Sequence, residues 1–157
     1  MKNNDKTNVM RLLDSKKIPY TPHLFDADGS MSGTDIARLQ GEDPGKVYKT
    51  LVTQGKTGRY YVFVVPVEAE LDLKKAAKAA GEKAIRMIPQ KELLPLTGYV
   101  HGGCSPIGMK KPFPTFIDQS AMPLETIYVS AGRIGAQIEL TPDDLIRAAN
   151  ATFADVA

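Results

Sequence analysis

Two neighbouring segments rich in β-branched and aromatic residues form the clearest hydrophobic pattern in the chain. Residues 46–54 and 59–67 flank the sequence Gly-Lys-Thr-Gly at 55–58, which is typical of a turn. We therefore predict a β-hairpin. Apolar side chains occupy consecutive positions from Tyr60 to Val65, so both faces of the second strand should be buried, as in a covered sheet or a closed barrel.

Helical patterns are interspersed with further strand patterns along the chain. The expected helices cover residues 7–16, 34–40, 71–80, 89–94 and a C-terminal segment that begins at 141. Thr34 and Thr141 are candidate N-caps, Gly81 is a candidate C-cap, and Pro142 suits the first position of a helix. The glycine-rich stretch 98–108 should be irregular.

The order of these elements indicates the fold class. The expected strands outside the hairpin cover residues 20–25, 84–88, 115–117, 125–130 and 136–140. Strands and helices follow no regular β-α-β rhythm, which argues against a doubly wound parallel sheet. A length of 157 residues fits one domain. We expect a single-domain α/β fold over residues 1–157, with a mixed, largely antiparallel, barrel-like sheet and flanking helices.

The charge balance is mildly basic, with a net charge of +2 and a pI of about 8.6. This balance permits RNA binding but does not argue for it, because proteins that depend on phosphate contacts are usually more basic. The N-terminal segment 1–6 is polar and lacks the apolar stretch of a secretory signal, and no apolar run is long enough for a membrane span. The single cysteine fits a reducing compartment. We expect a cytoplasmic protein with no membrane partner.

Lys49 is the first candidate for chemistry. Alternation along the predicted strand places it on the same face as Val47 and Leu51. If this is the core face, the lysine ammonium lies at the edge of an apolar pocket and needs a partner, a ligand or a changed protonation state. The alternative is equally well supported: the face is solvated, or the long side chain reaches the surface.

Residues 102–106, with the sequence Gly-Gly-Cys-Ser-Pro, are the second candidate. Glycine lets the backbone approach a ligand and point N–H groups at an oxygen. Such donors stabilise the oxyanion that forms in acyl transfer. For an isolated glycine-rich loop, however, a plain turn between strands is the commoner explanation.

Other chemistries receive little support from the sequence. His101 lies three residues before Cys104, so a Cys–His pair is conceivable, but a lone cysteine is usually a small apolar filler. No Gly-x-Ser-x-Gly motif is present. One cysteine and two scattered histidines, His23 and His101, lack zinc-ligand spacing, and no phosphate-binding loop or dinucleotide motif occurs. We therefore expect no metal and no cofactor.

Four segments, taken together, carry a family resemblance. They are VYKTLV at 47–52, LDLKKAAK at 71–78, TGYVHGGCSPIGMKK at 97–111 and ETIYVS at 125–130. In this order they resemble the YbaK/EbsC family, whose members are Cys-tRNA(Pro) deacylases related to the editing domain of bacterial prolyl-tRNA synthetases. The similarity extends over nearly the whole chain, from the first helix to residue 155.

The resemblance implies a barrel-like mixed α/β domain and a set of site residues. Lys49 would hold the tRNA end near the scissile ester and support the developing oxyanion, and the backbone of Gly102 and Gly103 would donate N–H groups. The expected substrate-binding residues are Phe25, Thr50, Ser105, Pro106, Ser130 and Gly132. The family is thought to use no enzyme nucleophile: the thiol of the substrate cysteine attacks its own ester carbonyl, which leaves a thiolactone and free tRNA.

The resemblance also assigns roles to exposed lysines and suggests partners. The candidate phosphate-binding residues are Lys74, Lys75, Lys78, Lys110 and Lys111. Phosphate contacts position a nucleic acid and carry little sequence information. The implied partners are the acceptor end of tRNA(Pro) and, for discrimination among tRNAs, prolyl-tRNA synthetase; we expect neither DNA nor a membrane.

Four positions depart from the family pattern. Phe25 stands where relatives can carry tyrosine, Ala131 replaces a glycine, Gln137 sits where some relatives have aspartate, and Cys104 replaces an expected aliphatic residue. These departures leave the amino-acid specificity open. The alternatives are a deacylase for Ala-tRNA or Ser-tRNA, a non-catalytic module that binds tRNA or a synthetase, and a hydrolase that uses Cys104.

Overall fold

The computed structural model describes residues 6–157, so most of the polar N-terminal segment 1–6 lies outside the described residues. The helices are α1 (Asn8–Ser15), α2 (Gly33–Gln40), α3 (Leu73–Ala80), α4 (Leu93–Thr97) and α5 (Pro142–Ala149). The strands are β1 (Thr21–Leu24), β2 (Tyr48–Gly55), β3 (Tyr60–Pro66), β4 (Ile85–Met87), β5 (Thr115–Asp118), β6 (Ile127–Arg133), β7 (Ala136–Leu140) and β8 (Ala151–Ala154).

The strands form two sheets. One has the order β4-β2-β3-β5-β8, and the other has the order β1-β7-β6. Most neighbouring strands are antiparallel, but β3 pairs with β5 and β5 pairs with β8 in parallel. The predicted hairpin is confirmed as β2 and β3, and the fold is mixed α/β as expected.

The expected barrel does not close within residues 6–157. β4 and β8 are the edges of the larger sheet, and β1 and β6 are the edges of the smaller one. An isolated parallel bridge between Val47 and Tyr128 joins the two sheets. A strand that is apolar on both faces does not distinguish a barrel from a sheet covered on both sides, because both arrangements bury both faces.

The larger sheet is covered on both sides, which confirms the predicted burial of β3. Val64 packs in a cluster with Val129 and Ile138 of the smaller sheet. Phe63 points to the opposite side and packs in a second cluster with Ala76 of α3. The core therefore has two parts, one between the sheets and one beneath α3.

Two helix boundaries bear on the site. The N-cap of α2 is Ser32 rather than Thr34: the Ser32 hydroxyl accepts the Asp35 N–H, and the Asp35 carboxylate accepts the Ser32 N–H. This reciprocal capping box outcompetes the single cap predicted at Thr34. The predicted short helix 89–94 is instead a 3-10 turn followed by α4, which ends at Thr97. The caps predicted at Gly81 and Thr141 are confirmed.

β8 was not predicted, and it depends on a tertiary anchor. After α5, Asn150 adopts a left-handed conformation and the chain enters β8 beside β5. Asp118, at the end of β5, accepts the backbone N–H groups of Val156 and Ala157 at 3.1 Å each. No helix among residues 6–157 has the length and apolar composition needed to cross a bilayer.

Candidate active site

A cavity of about 370 Å³ opens between the two sheets, where the start of β2 approaches the β6–β7 hairpin. The N-terminal end of α2 and the loop around residues 101–104 complete its walls. Five of the expected catalytic and substrate-binding residues line it: Phe25, Lys49, Thr50, Gly102 and Ser130. Residues from distant parts of the chain therefore meet at one concave site.

Lys49 lies at this cavity, half-buried, opposite Val65 in the hairpin register. Leu51 lies on the same face of β2 as Lys49, and it is partly buried against the cluster beneath α3. Among residues 6–157 the Lys49 ammonium forms no hydrogen bond and no ion pair. The half-buried Lys49 side chain thus lines the cavity, and its ammonium is available to an anionic or carbonyl group there.

Thr50, the next residue, also lines the cavity and supplies an unsatisfied polar atom. Its hydroxyl oxygen is buried and has no hydrogen-bond partner within the described chain. A buried hydroxyl without a partner destabilises a fold by roughly 1–3 kcal/mol, so such groups are uncommon and often mark a site where a ligand supplies the missing bond.

The two adjacent glycines differ in their geometry. Gly102 lines the cavity with a φ of +86°, a conformation that favours glycine. Gly103 is buried, and its N–H donates to the carbonyl of Val100 at 3.0 Å. The expectation that both glycines direct N–H groups at a substrate therefore fails for Gly103, whose donor is already engaged.

Ser105 and Pro106 lie behind the cavity wall rather than on it. Ser105 is fully buried, and its hydroxyl accepts the Ile107 N–H at 3.2 Å. Pro106 is buried as well. Neither residue lines the cavity, and both lie in the segment that follows Gly102.

Ser130 and Gly132 likewise differ in their position relative to the cavity. Ser130 lines the cavity and its hydroxyl accepts the Gly132 N–H at 3.2 Å. Gly132 does not line the cavity; it has a φ of +100°, and a Cβ there would lie 3.0 Å from Val9. Gly132 thus belongs to the irregularity between Ser130 and Arg133 that turns β6.

Cys104 lines the cavity, but its thiol is not activated. Burial raises the pKa of the Cys104 thiol to about 12, although a hydrogen bond with Thr97 lowers it in part. The thiol is therefore protonated at neutral pH and is a poor nucleophile. His101 also lines the cavity, and no hydrogen bond joins it to Cys104 within residues 6–157. These observations argue against the Cys104 hydrolase.

Several cavity residues were not predicted from the sequence. Met31 and Ser32 immediately precede α2, Ile36 lies near its start, and Arg133 is the last residue of β6. The lining contains one lysine, Lys49, and one arginine, Arg133. No aspartate or glutamate among the described residues lines the cavity. The Ser32 capping motif signals the helix end, but nothing in the sequence indicates that this end faces Lys49. The charge of the lining favours an anionic ligand.

The predicted phosphate-binding lysines are not equivalent. Lys74 and Lys78 on α3, and Lys110 and Lys111 after the glycine-rich loop, are exposed. Lys75 donates to Asp155 and to the Ala157 carbonyl at 3.1 Å each, and the hydrogen bond and charge of Asp155 raise the pKa of the Lys75 ammonium. Lys75 thus holds the C-terminal segment. No group of three or more His, Cys, Asp or Glu residues within 6–157 is arranged to hold a metal ion.

Comparison with known proteins shows the family and agrees with the fold. The family model described as the aminoacyl-tRNA editing domain matches residues 29–148. The chain belongs to this family. It is 44% identical, over 99% of its length and 95% of the relative's, to a protein of Enterococcus faecalis provisionally named Cys-tRNA(Pro)/Cys-tRNA(Cys) deacylase EbsC. The resemblance inferred from the four segments is therefore confirmed.

Solved structures show the same architecture. One was assigned provisionally as a trans-editing enzyme for prolyl-tRNA synthetase; it has a TM-score of 0.80 and 25% identity, covering 96% of this chain and 97% of that one. A second, described as a hypothetical protein, has a TM-score of 0.87 at 24% identity, over 96% of this chain and 99% of that one. The second supports the fold alone.

Proposed function

We propose that this protein is a cytoplasmic aminoacyl-tRNA deacylase that acts in trans and removes cysteine from tRNA(Pro). The observation that carries the proposal is the cavity lined by two consecutive residues of β2: Lys49, whose ammonium has no partner among residues 6–157, and Thr50, whose buried hydroxyl is unsatisfied there. Membership of the editing family and 44% identity to the EbsC relative support the reaction type and the substrate.

The cavity supplies positioning and charge rather than a nucleophile. Lys49 would contact the ester or the ribose of the terminal nucleotide and stabilise negative charge on the carbonyl oxygen as it forms. Gly102 lets the loop backbone approach the substrate closely, and Phe25 and Ile36 provide apolar walls. Holding the reacting groups together in this way accounts for a large part of many enzymatic rate enhancements.

The bond changes are those of substrate-assisted cleavage. The substrate thiol sulfur forms a bond to its own ester carbonyl carbon, and the bond from that carbon to the ribose oxygen breaks. The thiol proton ends on the ribose oxygen, so the products are a thiolactone and deacylated tRNA. The protonated Cys104 thiol takes no part, which agrees with its raised pKa.

The acceptor end of tRNA carries phosphates that the exposed lysines would contact. Lys74, Lys78, Lys110 and Lys111 have free ammonium groups among the described residues, whereas Lys75 is engaged with Asp155. These contacts would not distinguish one tRNA from another. Selection of tRNA(Pro) would then require a second protein, and prolyl-tRNA synthetase is the partner we propose.

The test is hydrolysis of Cys-, Ala-, Ser- and Pro-tRNA(Pro) by the purified protein and by Lys49→Ala. Lys56→Ala is the matched control, because Lys56 lies in the exposed β2–β3 turn, away from the cavity. Loss of cysteine, abolished only by Lys49→Ala, is the expected result. Cleavage of Ala- or Ser-tRNA instead would overturn the substrate, and tRNA binding without cleavage of any of the four would indicate a non-catalytic module.

A further inference from the structure

A row of polar residues crosses the smaller sheet at the cavity. His23 on β1, Gln137 on β7 and Ser130 on β6 lie opposite one another in the strand registers. Gln137 and Ser130 both line the cavity, and Gln137 is only 6% exposed, so its amide belongs to a buried wall. A buried amide needs partners for both its nitrogen and its oxygen.

The partner of the Gln137 nitrogen is Glu42. In the orientation that satisfies its hydrogen bonds, the Gln137 amide nitrogen donates to both carboxylate oxygens of Glu42, at 3.0 and 3.1 Å. Glu42 follows the C-cap of α2, and its own N–H donates to the Ala37 carbonyl at 2.8 Å. The carboxylate is therefore held in place by the end of a helix whose other end also contributes to the cavity.

Glu42 provides a negative charge in direct contact with a residue of the lining. The neighbouring acid, Glu139, is bound by His23 at 3.0 Å and by the Thr126 hydroxyl at 2.6 Å. Burial raises the pKa of Glu42, while the charge of His23 and the Gln137 hydrogen bond oppose this shift and the charge of Glu139 adds to it. The lining itself has cations and no carboxylate among the described residues.

An aminoacyl ester brings a cation into this cavity. Its α-ammonium lies two bonds from the ester carbonyl, so it must sit near Lys49, whose charge repels it. The group that accepts the ammonium therefore has to lie on another wall of the cavity. A negative charge behind that group strengthens its interaction with the ammonium. The amide of Gln137 meets both conditions, because it lines the cavity from the smaller sheet and has the Glu42 carboxylate behind it. An amide that gives its nitrogen to a carboxylate keeps its oxygen as the acceptor.

We propose that Glu42 is a positioning residue for substrate: it holds the Gln137 amide by its nitrogen, so that the amide oxygen accepts the α-ammonium of the aminoacyl ester. This inference rests on the proposed function. Glu42 contacts no reacting atom and acts only through Gln137 and its charge.

Two substrates separate this role from a structural one. One is Cys-tRNA(Pro), and the other is the same ester with a hydroxyl in place of the α-ammonium, which retains the reacting thiol. Hydrogen bonds to charged groups contribute roughly 1.5–3 kcal/mol, so Glu42→Ala should lower kcat/KM on Cys-tRNA about tenfold or more, mainly through KM. On the hydroxyl substrate the same variant should lose less than about twofold, because that substrate has no cation for the acceptor.

Further variants complete the experiment. Glu42→Gln keeps the side-chain size and an acceptor for the Gln137 nitrogen but removes the charge, so it should show a selective loss on the ammonium substrate that is smaller than that of Glu42→Ala. Gln137→Met should match Glu42→Ala, and the double variant should lose no more than either single variant, because both act through one contact. Glu70→Gln removes a charge from an exposed residue away from the cavity and serves as the control.

The outcomes are distinct. Equal losses on both substrates, additive losses in the double variant, or full activity of Glu42→Ala on Cys-tRNA would each overturn the inference and leave the deacylase proposal standing. If the wild-type protein cleaves neither substrate, the proposed function fails, and the inference fails with it. Thermal unfolding of each variant shows whether a loss of activity reflects a loss of folded protein.

Discussion

Gly103 lies so close to Arg133 that a Cβ on the glycine would be 2.9 Å from the Arg133 carbonyl carbon. The same Cβ would be 2.9 Å from the backbone nitrogen of Ile134. Contact with backbone atoms cannot be relieved by a side-chain rotation, so this glycine fixes the separation between the loop that carries Gly102 and the end of β6 at Arg133.

The substitution Gly103→Ala should therefore push these two cavity walls apart. We expect lower kcat/KM and a loss of stability of roughly 1–3 kcal/mol, which is typical of overpacking. Urea denaturation and deacylation assays on the same preparation would measure both. Gly58→Ala is the comparison, because a Cβ at Gly58 has open space around it, although the positive φ there also strains alanine. Equal activity of the two variants would contradict the proposed contact.

Thr50→Val should separate stability from function. The buried hydroxyl of Thr50 has no partner among residues 6–157, so its replacement by a methyl group removes an unsatisfied polar group. We expect the free energy of unfolding to stay within about 1 kcal/mol or to rise, while deacylation falls. Thr50→Ser, which keeps a hydroxyl, should retain more activity than valine does. A large loss of stability in the valine variant would show that the hydroxyl has a partner in the fold.

Asp118 should anchor the C-terminal segment in a pH-dependent manner. Burial by itself raises the pKa of this carboxyl, but hydrogen bonds from Ser120 and from the N–H groups of Val156 and Ala157 bring it below the usual value. Because the folded-state pKa is depressed, the stabilisation is present above the unfolded pKa and is lost as the pH falls through the folded value.

Asp118→Asn should accordingly reduce the free energy of unfolding by roughly 1–3 kcal/mol at pH 7, because an amide is a weaker acceptor for these buried donors. The difference from wild type should shrink as the pH falls below the ordinary aspartate range. Urea denaturation at several pH values between 3 and 7 would test this. A difference that does not change with pH would mean that the carboxylate charge is not responsible.

Cys104 should be unreactive at neutral pH because burial raises the pKa of its thiol to about 12. We expect slow alkylation by iodoacetamide in the folded protein and fast alkylation after unfolding. Cys104→Ala should keep most of the activity, since the substrate supplies the thiol. An inactive Cys104→Ala variant that remains folded would support the nucleophile that the structure argues against.

The exposed lysines should act through charge alone. Lys110→Ala and Lys111→Ala together should weaken binding of all tRNAs alike and reduce the slope of log affinity against log salt by about 1–2. Filter binding at several salt concentrations gives this slope. Lys75→Ala should instead lower stability, because Lys75 is engaged with Asp155 and the Ala157 carbonyl. If Lys75→Ala reduces the salt slope as much as the pair, its assignment to the fold is wrong.

Local patterns determined much of the fold in advance. The hairpin, the caps at Gly81 and Thr141 and the strand buried on both faces depend on neighbouring residues, and the structure confirms them. β8 escaped prediction because its anchor, Asp118, is more than thirty residues away in the chain. A strand that depends on a distant carboxylate leaves little trace in its own sequence.

The site shows the same division. The sequence by itself pointed to Lys49, Thr50, Gly102, Phe25 and Ser130 through the strand pattern, the glycine-rich loop and a family resemblance, and it narrowed the chemistry to one without a metal or an activated thiol. Only the tertiary structure placed Arg133 and the start of α2 on the same cavity, showed that the Gly103 N–H is already bound and brought Glu42 to Gln137. The physical reason is that alternation and capping act between near neighbours, whereas a cavity is formed by elements whose contacts are set by packing between sheets.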